Sequence, residues 1–201
     1  MLPYVDIHTH HPTGHAIELR TAGIHPWDAA KGDIGALEAQ LGQVQALGET
    51  GLDRLRGPEM ECQLRMLRAQ LELARKHRLP VVLHCVKAFE PLMRELAAVS
   101  LRAVIFHGFI GSRQQAAEAL KRGYYLSYGV RSFASPRSVE ALRATPADRL
   151  FLETDDQETP IEEVYARAAE LREESVERLQ RCTLANYERI FGEEISDKRV
   201  L

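Results

Sequence analysis

Two rhythms of hydrophobic and polar positions alternate along this chain. Short apolar runs of strand character, "PYVDIH", "LRTAGIH", "VQALGE", "LPVVLHC", "RAVIFHG", "YYLSYG" and "RLFLETD", are separated by stretches whose apolar residues recur every three to four positions. The second rhythm predicts helices around 35–42, 59–78, 88–98, 112–122, 135–144, 160–171 and 174–191. Within "EMECQLRMLRAQLELARKHR", Leu64, Leu67, Leu71 and Ala74 form a single apolar stripe, and Pro80 returns the chain to a strand. Strands alternating with helices predict a parallel sheet with helices outside it. No linker, repeat or low-complexity tract interrupts the pattern, so residues 1–201 read as one α/β domain.

The strand count refines the class. Seven runs qualify, and the stretch from His11 to Glu18 is too short for a helix and a further strand. The expected architecture is a TIM-like parallel β/α barrel that lacks one β/α unit, with about seven main strands. A gapped eight-fold barrel and an open doubly wound sheet are the alternatives.

Chemistry gathers at the C-terminal ends of these runs. Asp6, His8 and His10 occupy alternate positions, which in a strand share a face. His25, Glu49, His84, His107, Glu153 and Asp155 close the later strands. A lone strand-end histidine is usually a hydrogen-bonded structural residue, and a strand-end aspartate is often a helix cap. In a parallel barrel, however, all strand C-termini meet on one rim. Histidines and carboxylates that converge there make a mixed nitrogen and oxygen metal site, suited to Mg²⁺, Mn²⁺ or Zn²⁺, with enough groups for two ions. Two divalent ions would clamp an in-line displacement and activate water. Glu49, midway in the strand order, is the natural bridge, and Asp155 can both hold a metal and take the proton from water. Glu153 and Asp6 read as groups that orient the ligands.

Composition limits the substrate. The chain is 45% hydrophobic and 27% charged with net charge −3, so no global basic field draws nucleic acid. For a phosphate ester, bound cations or a local Lys/Arg rim must supply positive charge. Cys62, Cys85 and Cys182 lack CxxC spacing, which argues against a disulfide framework or a cysteine zinc site and suits reduced thiols in a cytoplasm. No basic, then apolar, leader opens the sequence, and no apolar run approaches the roughly 18 residues of a membrane span.

The blocks "DIHTHH", "AGIHPW", "LGETGLD", "LPVVLHC", "FHGFIGS" and "LFLETD", in that order, resemble the TatD family of metal-dependent hydrolases, amidohydrolase-like TIM barrels. The tail "CTLANYERIFG" resembles the family's closing helix, with Asn186 in place. The resemblance implies one metal on His8, His10, Glu49 and Asp155 and a second on Glu49, His84 and His107. It also implies a Mg²⁺-dependent deoxyribonuclease, acting as an exonuclease or on damaged DNA. The chain departs from the family's pattern in lacking the first β/α unit, in a loop after Glu49 that keeps Gly51, Leu52 and Asp53 but shortens to "RLRG", and at two further places. Cys85, Val86 and Lys87 stand where the family has Ser-Arg-Asp, and "DQETP" replaces a Pro-His-Arg-Gly-Lys segment. The metal ligands are complete while the basic substrate rim is trimmed. Arg54, Arg56 and Lys87 remain as candidate phosphate contacts, and His25 and Trp27 either hold substrate, by hydrogen bond and stacking, or pack under the rim. The expected function is phosphodiester hydrolysis on DNA single strands or ends, or on a small phosphate ester. Hydrolysis of a small amide, lactone or phosphomonoester is the alternative. A non-catalytic binding protein is disfavoured by the full ligand set.

Overall fold

A computed structural model describes residues 2–197. The strands are β1 Val5–Asp6, β2 Ile17–Glu18, β3 Thr21–Ala22, β4 Ala46–Asp53, β5 Val81–Val86, β6 Val104–Phe106, β7 Tyr125–Tyr128 and β8 Leu150–Leu152. The α-helices are α1 Ile34–Glu38, α2 Met60–His77, α3 Phe89–Ala97, α4 Arg113–Lys121, α5 Val130–Phe133, α6 Pro136–Ala144, α7 Ile161–Arg172 and α8 Val176–Asp197. All seven strand runs read from the sequence are present. An eighth, the two-residue β2, falls in the 11–18 stretch, which among the described residues holds no helix. The described residues form two compact units. One takes in the chain up to Leu19 and from Gly108 onward; the other is Arg20–His107.

In the middle unit β3, β4, β5 and β6 pair in sequence order, all parallel. Val81, Val82 and Leu83 are buried, as are Ile105 and Phe106, the continuous apolar reading of strands covered on both faces. The helix α2 buries Leu67, Leu71 and Ala74 of the expected stripe, but Leu64 is half-buried. Gln63 and Gln70 are buried in addition. Both amides are matched to backbone: Gln70 accepts from Ile24 N at 2.7 Å and donates to Ile24 O at 3.0 Å, and Gln63 accepts from Asp53 N at 2.8 Å. They are buried because they satisfy chain that approaches the strand ends. Arg78, left-handed, stops the helix after a basic last turn.

In the other unit β7 pairs with β8, and β1 pairs with β2, again parallel. Beyond β1 the chain continues along β8: Ile7 N donates to Leu152 O, Asp155 N donates to His8 O at 3.0 Å, and His10 N donates to Asp155 O at 2.8 Å. Asn186 of α8 is buried and donates to Ala147 O and Leu150 O, both at 2.9 Å, fixing the start of β8. The interior is filled by Phe151, Leu152, Tyr165, Tyr128 and Phe191.

Candidate metal and hydrolase site

Each unit carries its own cluster of histidine and carboxylate at strand ends. In the middle unit, Glu49 in β4 meets His84 of β5 and His107, the residue after β6. Glu49 Oε1 lies 2.8 Å from His84 Nδ1 and 2.6 Å from His107 Nε2, and the two nitrogens are 3.4 Å apart. Three donors of two types thus point at one small volume, the arrangement a divalent cation needs. The donor set fits a metal.

His25 is the fourth member, its Nε2 3.4 Å from Glu49 Oε1. His25, Glu49 and His84 together offer ligand atoms within 4.8 Å of one another. Yet His25 Nδ1 accepts Trp27 N–H at 3.2 Å, where it caps the short 3-10 turn Pro26–Asp28. That acceptor role leaves the proton on Nε2. His25 is therefore a donor toward Glu49 or toward a substrate oxygen, rather than a ligand.

Asp53, at the end of β4, closes the cluster from the other side. Its Oδ2 accepts Trp27 Nε1–H at 2.6 Å and lies 3.3 Å from His84 Nε2. Its Oδ1 accepts the backbone N–H groups of Leu55 and Arg56. Burial works against the charge, but these donors hold the Asp53 carboxylate below its ordinary range. A carboxylate on the far nitrogen of a metal-facing imidazole sets the tautomer so that Nδ1 stays free for the metal. The two glycines flanking Glu49 permit the approach. A Cβ on Gly51 would fall 1.9 Å from His84 O, and one on Gly48 would fall 2.8 Å from Val82.

In the other unit, His8 Nε2 and His10 Nε2 lie 3.7 and 3.5 Å from Asp155 Oδ1. Their rings meet edge to face with centroids 5.0 Å apart. Asp6 turns away to Thr154, accepting its N–H at 3.1 Å and its hydroxyl at 2.6 Å. Burial pushes the Asp6 carboxyl up to about 7 in spite of those bonds. So Asp6 ties β1 to the turn that carries Asp155. Glu153, fully buried, accepts Gly108 N–H at 2.5 Å.

The remaining candidates separate. Arg54 and Lys87 are exposed, directly after β4 and β5. His11 and His15 are exposed loop residues, and His77 pairs with Glu38 on the surface. Burial pushes the Cys85 thiol up to about 12, so the cysteine beside His84 is neutral and no nucleophile. One basic group was not anticipated. Arg131 of α5 reaches Asp156 Oδ2 at 2.6 Å and Asp155 Oδ2 at 3.7 Å. The acidic "DQETP" loop therefore holds an arginine beside the candidate base. Its signal in the sequence was slight, one arginine in a helix of four residues.

The chain matches the model of the family described as "TatD related DNase" over residues 15–192. It is 31% identical over 195 residues to the uncharacterized metal-dependent hydrolase YjjV of Escherichia coli (strain K12), covering 85% of this chain and 75% of that protein. It is 30% identical over 200 residues to the 3'-5' ssDNA/RNA exonuclease TatD of Citrobacter rodentium (strain ICC168), covering 86% of this chain and 76% of that one. The crystal structure of YjjV superposes with a TM-score of 0.77, covering 87% of this chain and 77% of that structure. This likeness gives the chain the parallel β/α barrel class expected from its sequence.

Proposed function

The chain belongs to the TatD family of metal-dependent hydrolases, and we propose that it is a nuclease that removes nucleotides from single-stranded DNA or RNA ends. The convergence of Glu49, His84 and His107 on one point carries this reading, because it offers a divalent cation the donors with which to activate water on a phosphodiester, and the relative from Citrobacter rodentium is named a 3'-5' ssDNA/RNA exonuclease. Glu49, His84 and His107 would hold one divalent cation, and His8, His10 and Asp155 would hold a second; the donors admit Mg²⁺, Mn²⁺ or Zn²⁺. Divalent ions bound there would supply Lewis acidity and lower the pKa of water.

The chain's own groups have distinct tasks. Asp155 accepts the proton of the attacking water. Arg131, bonded to Asp156 at 2.6 Å, adds positive charge 3.7 Å from that carboxylate and favours its ionised form. His25 Nε2–H donates to a phosphate oxygen, and Arg54 and Lys87 offer further charge at the exposed rim. The three thiols fit a reducing cytoplasm, and no described helix is long and apolar enough to cross a membrane.

The test is metal content of the purified protein together with cleavage of end-labelled single strands. Asp155→Asn is expected to lower the rate at least about a hundredfold, the scale of a lost general base, with thermal unfolding little changed. Removal of metal by a chelator should abolish cleavage, and one of the three ions should restore it. Near wild-type cleavage by Asp155→Asn, or cleavage indifferent to chelator, overturns the reading.

A further inference from the structure

We propose that Trp27, with Arg56 against it, is the stacking platform for a nucleobase of the single-stranded end, an inference that rests on the nuclease reading above.

Trp27 is the one tryptophan of the chain, and it is 43% exposed although its ring lies beside His25 and His84 of the half-buried Glu49 cluster. Its ring is 4.5 Å from that of His25 and 6.1 Å from that of His84, centroid to centroid. The indole is anchored by a polar bond, Nε1–H to Asp53 Oδ2, while part of its ring stays open to solvent. The guanidinium of Arg56, an exposed residue, lies over the ring at 4.9 Å from its centroid. The Arg56 guanidinium is a planar, delocalised cation, the kind of partner whose place on the ring a nucleobase would take, leaving the freed cation for a phosphate.

The platform is also held still. Trp27 Nε1 is fixed by Asp53 Oδ2, and Asp53 Oδ1 takes the N–H groups of Leu55 and Arg56. One buried carboxylate thus sets both the ring and the segment that carries the cation. Gly57, at φ +88, lets that segment close on Trp27: a Cβ there would be 2.9 Å from Trp27 Cα. Gln63 Nε2 lies 3.1 Å from Arg56 O and 2.8 Å from Pro58 O. A ring immobilised before binding loses little freedom when a base stacks on it.

The chemistry selects the ligand. A phosphate drawn to the Glu49 cluster places its own sugar and base beside it. Exposed Arg54 and Arg56 meet the backbone charge, Leu55, 69% exposed, adds apolar surface, and Trp27 meets the base. Stacking needs an unpaired base and tolerates any sequence, so the platform favours single strands over duplex.

The sole tryptophan makes the test direct. The Mg²⁺-loaded protein is titrated with phosphorothioate-linked tetrathymidine, which resists cleavage, and with an abasic tetramer of the same linkages, while tryptophan emission is followed. The base-bearing strand should quench the emission to saturation and bind about tenfold more tightly than the abasic one, as expected for one stacked base. Competition binding then compares variants: Trp27→Phe should keep the preference for bases, and Trp27→Ala should lose it. Equal affinities with unchanged emission, from a protein that still cleaves single strands, overturn the platform and leave the nuclease reading intact. Loss of preference in Trp27→Phe also overturns it, because the indole would then act through its bond to Asp53. A wild-type protein that neither binds nor cleaves any strand overturns both.

Discussion

At Gly51 a lone hydrogen stands where any other residue would carry a carbon 1.9 Å from His84 O. Its φ of +151 is a further barrier to a side chain. Gly51→Ala would push β4 and β5 apart two residues beyond Glu49, and His84 would leave its 2.8 Å approach to that carboxylate. Strain and overlap together are expected to cost roughly 2–5 kcal/mol, measured by denaturant unfolding, and to lower metal retention with it. A loss under about half a kcal/mol would show that the strands yield there. At this scale the histidines and carboxylates that gather into the two clusters were legible, and some of the groups bonded around them were not. His8, His10, Glu49, His84, His107 and Asp155 declare themselves because each is ionisable and ends an apolar run. Nothing local to Asp53 records its 2.6 Å bond to Trp27, 26 residues distant. Arg131 and Asp156 are 25 residues apart and share no local pattern. Side chains that act on distant partners leave no periodic trace.

Among the elements, α7 determines where β1 lies. The Tyr165 hydroxyl, fully buried, accepts Val5 N–H at 3.2 Å and lies 2.9 Å from Val5 O and 2.7 Å from Thr183 Oγ1 of α8. A two-residue strand has few ladder bonds of its own, so this hydroxyl is a large share of what positions the chain leading to His8 and His10. Tyr165→Phe keeps the ring packed against Tyr4 but leaves the Val5 N–H without that acceptor. The expected loss is about 1–3 kcal/mol, read as a lowered midpoint of chemical unfolding; an unchanged midpoint would mean that β2 and β8 suffice to hold β1. Long helices were legible because a stripe repeats often enough to stand out: 59–78 appears as Met60–His77 and 160–171 as Ile161–Arg172. The strands were found but not their extents. β4 runs on to Asp53, through Thr50, Gly51 and Leu52, because β5 pairs with it there. β1 shrinks to two residues because its partners are short. The extent of a strand is decided by its neighbours, and α5, with four residues, is too brief for any periodicity.

For the whole molecule, alternation of strand and helix was enough to give the fold class. The unit that joins both ends of the chain was not visible, since β1 meets β8 from opposite termini and no local signal records such a meeting. Charge, in contrast, is a property that the sequence states outright, 26 Lys and Arg against 29 Asp and Glu. A strand binding here is attracted locally, without help from a basic surface field. Arg54, Arg56 and Lys87 are exposed cations on the segments that leave β4 and β5, the strands carrying Glu49 and His84, and Arg131 is already engaged by Asp156. Each single-strand phosphate neutralised contributes about −0.7 to the slope of log affinity against log salt, so three contacts give a slope of about −2. Fluorescence titrations of a single strand at several salt concentrations should return that shallow slope, and duplex of the same length should bind more weakly, having no free base for Trp27. A slope steeper than about −5 would require more phosphate contacts than these cations supply, and would place a basic surface elsewhere on the molecule in charge of binding. The shallow slope has a consequence for selectivity: with the electrostatic part small, the base stack and the metal clusters carry most of the affinity, so discrimination between base-bearing and abasic strands should persist at salt concentrations that strip ordinary nucleic-acid binders from their targets.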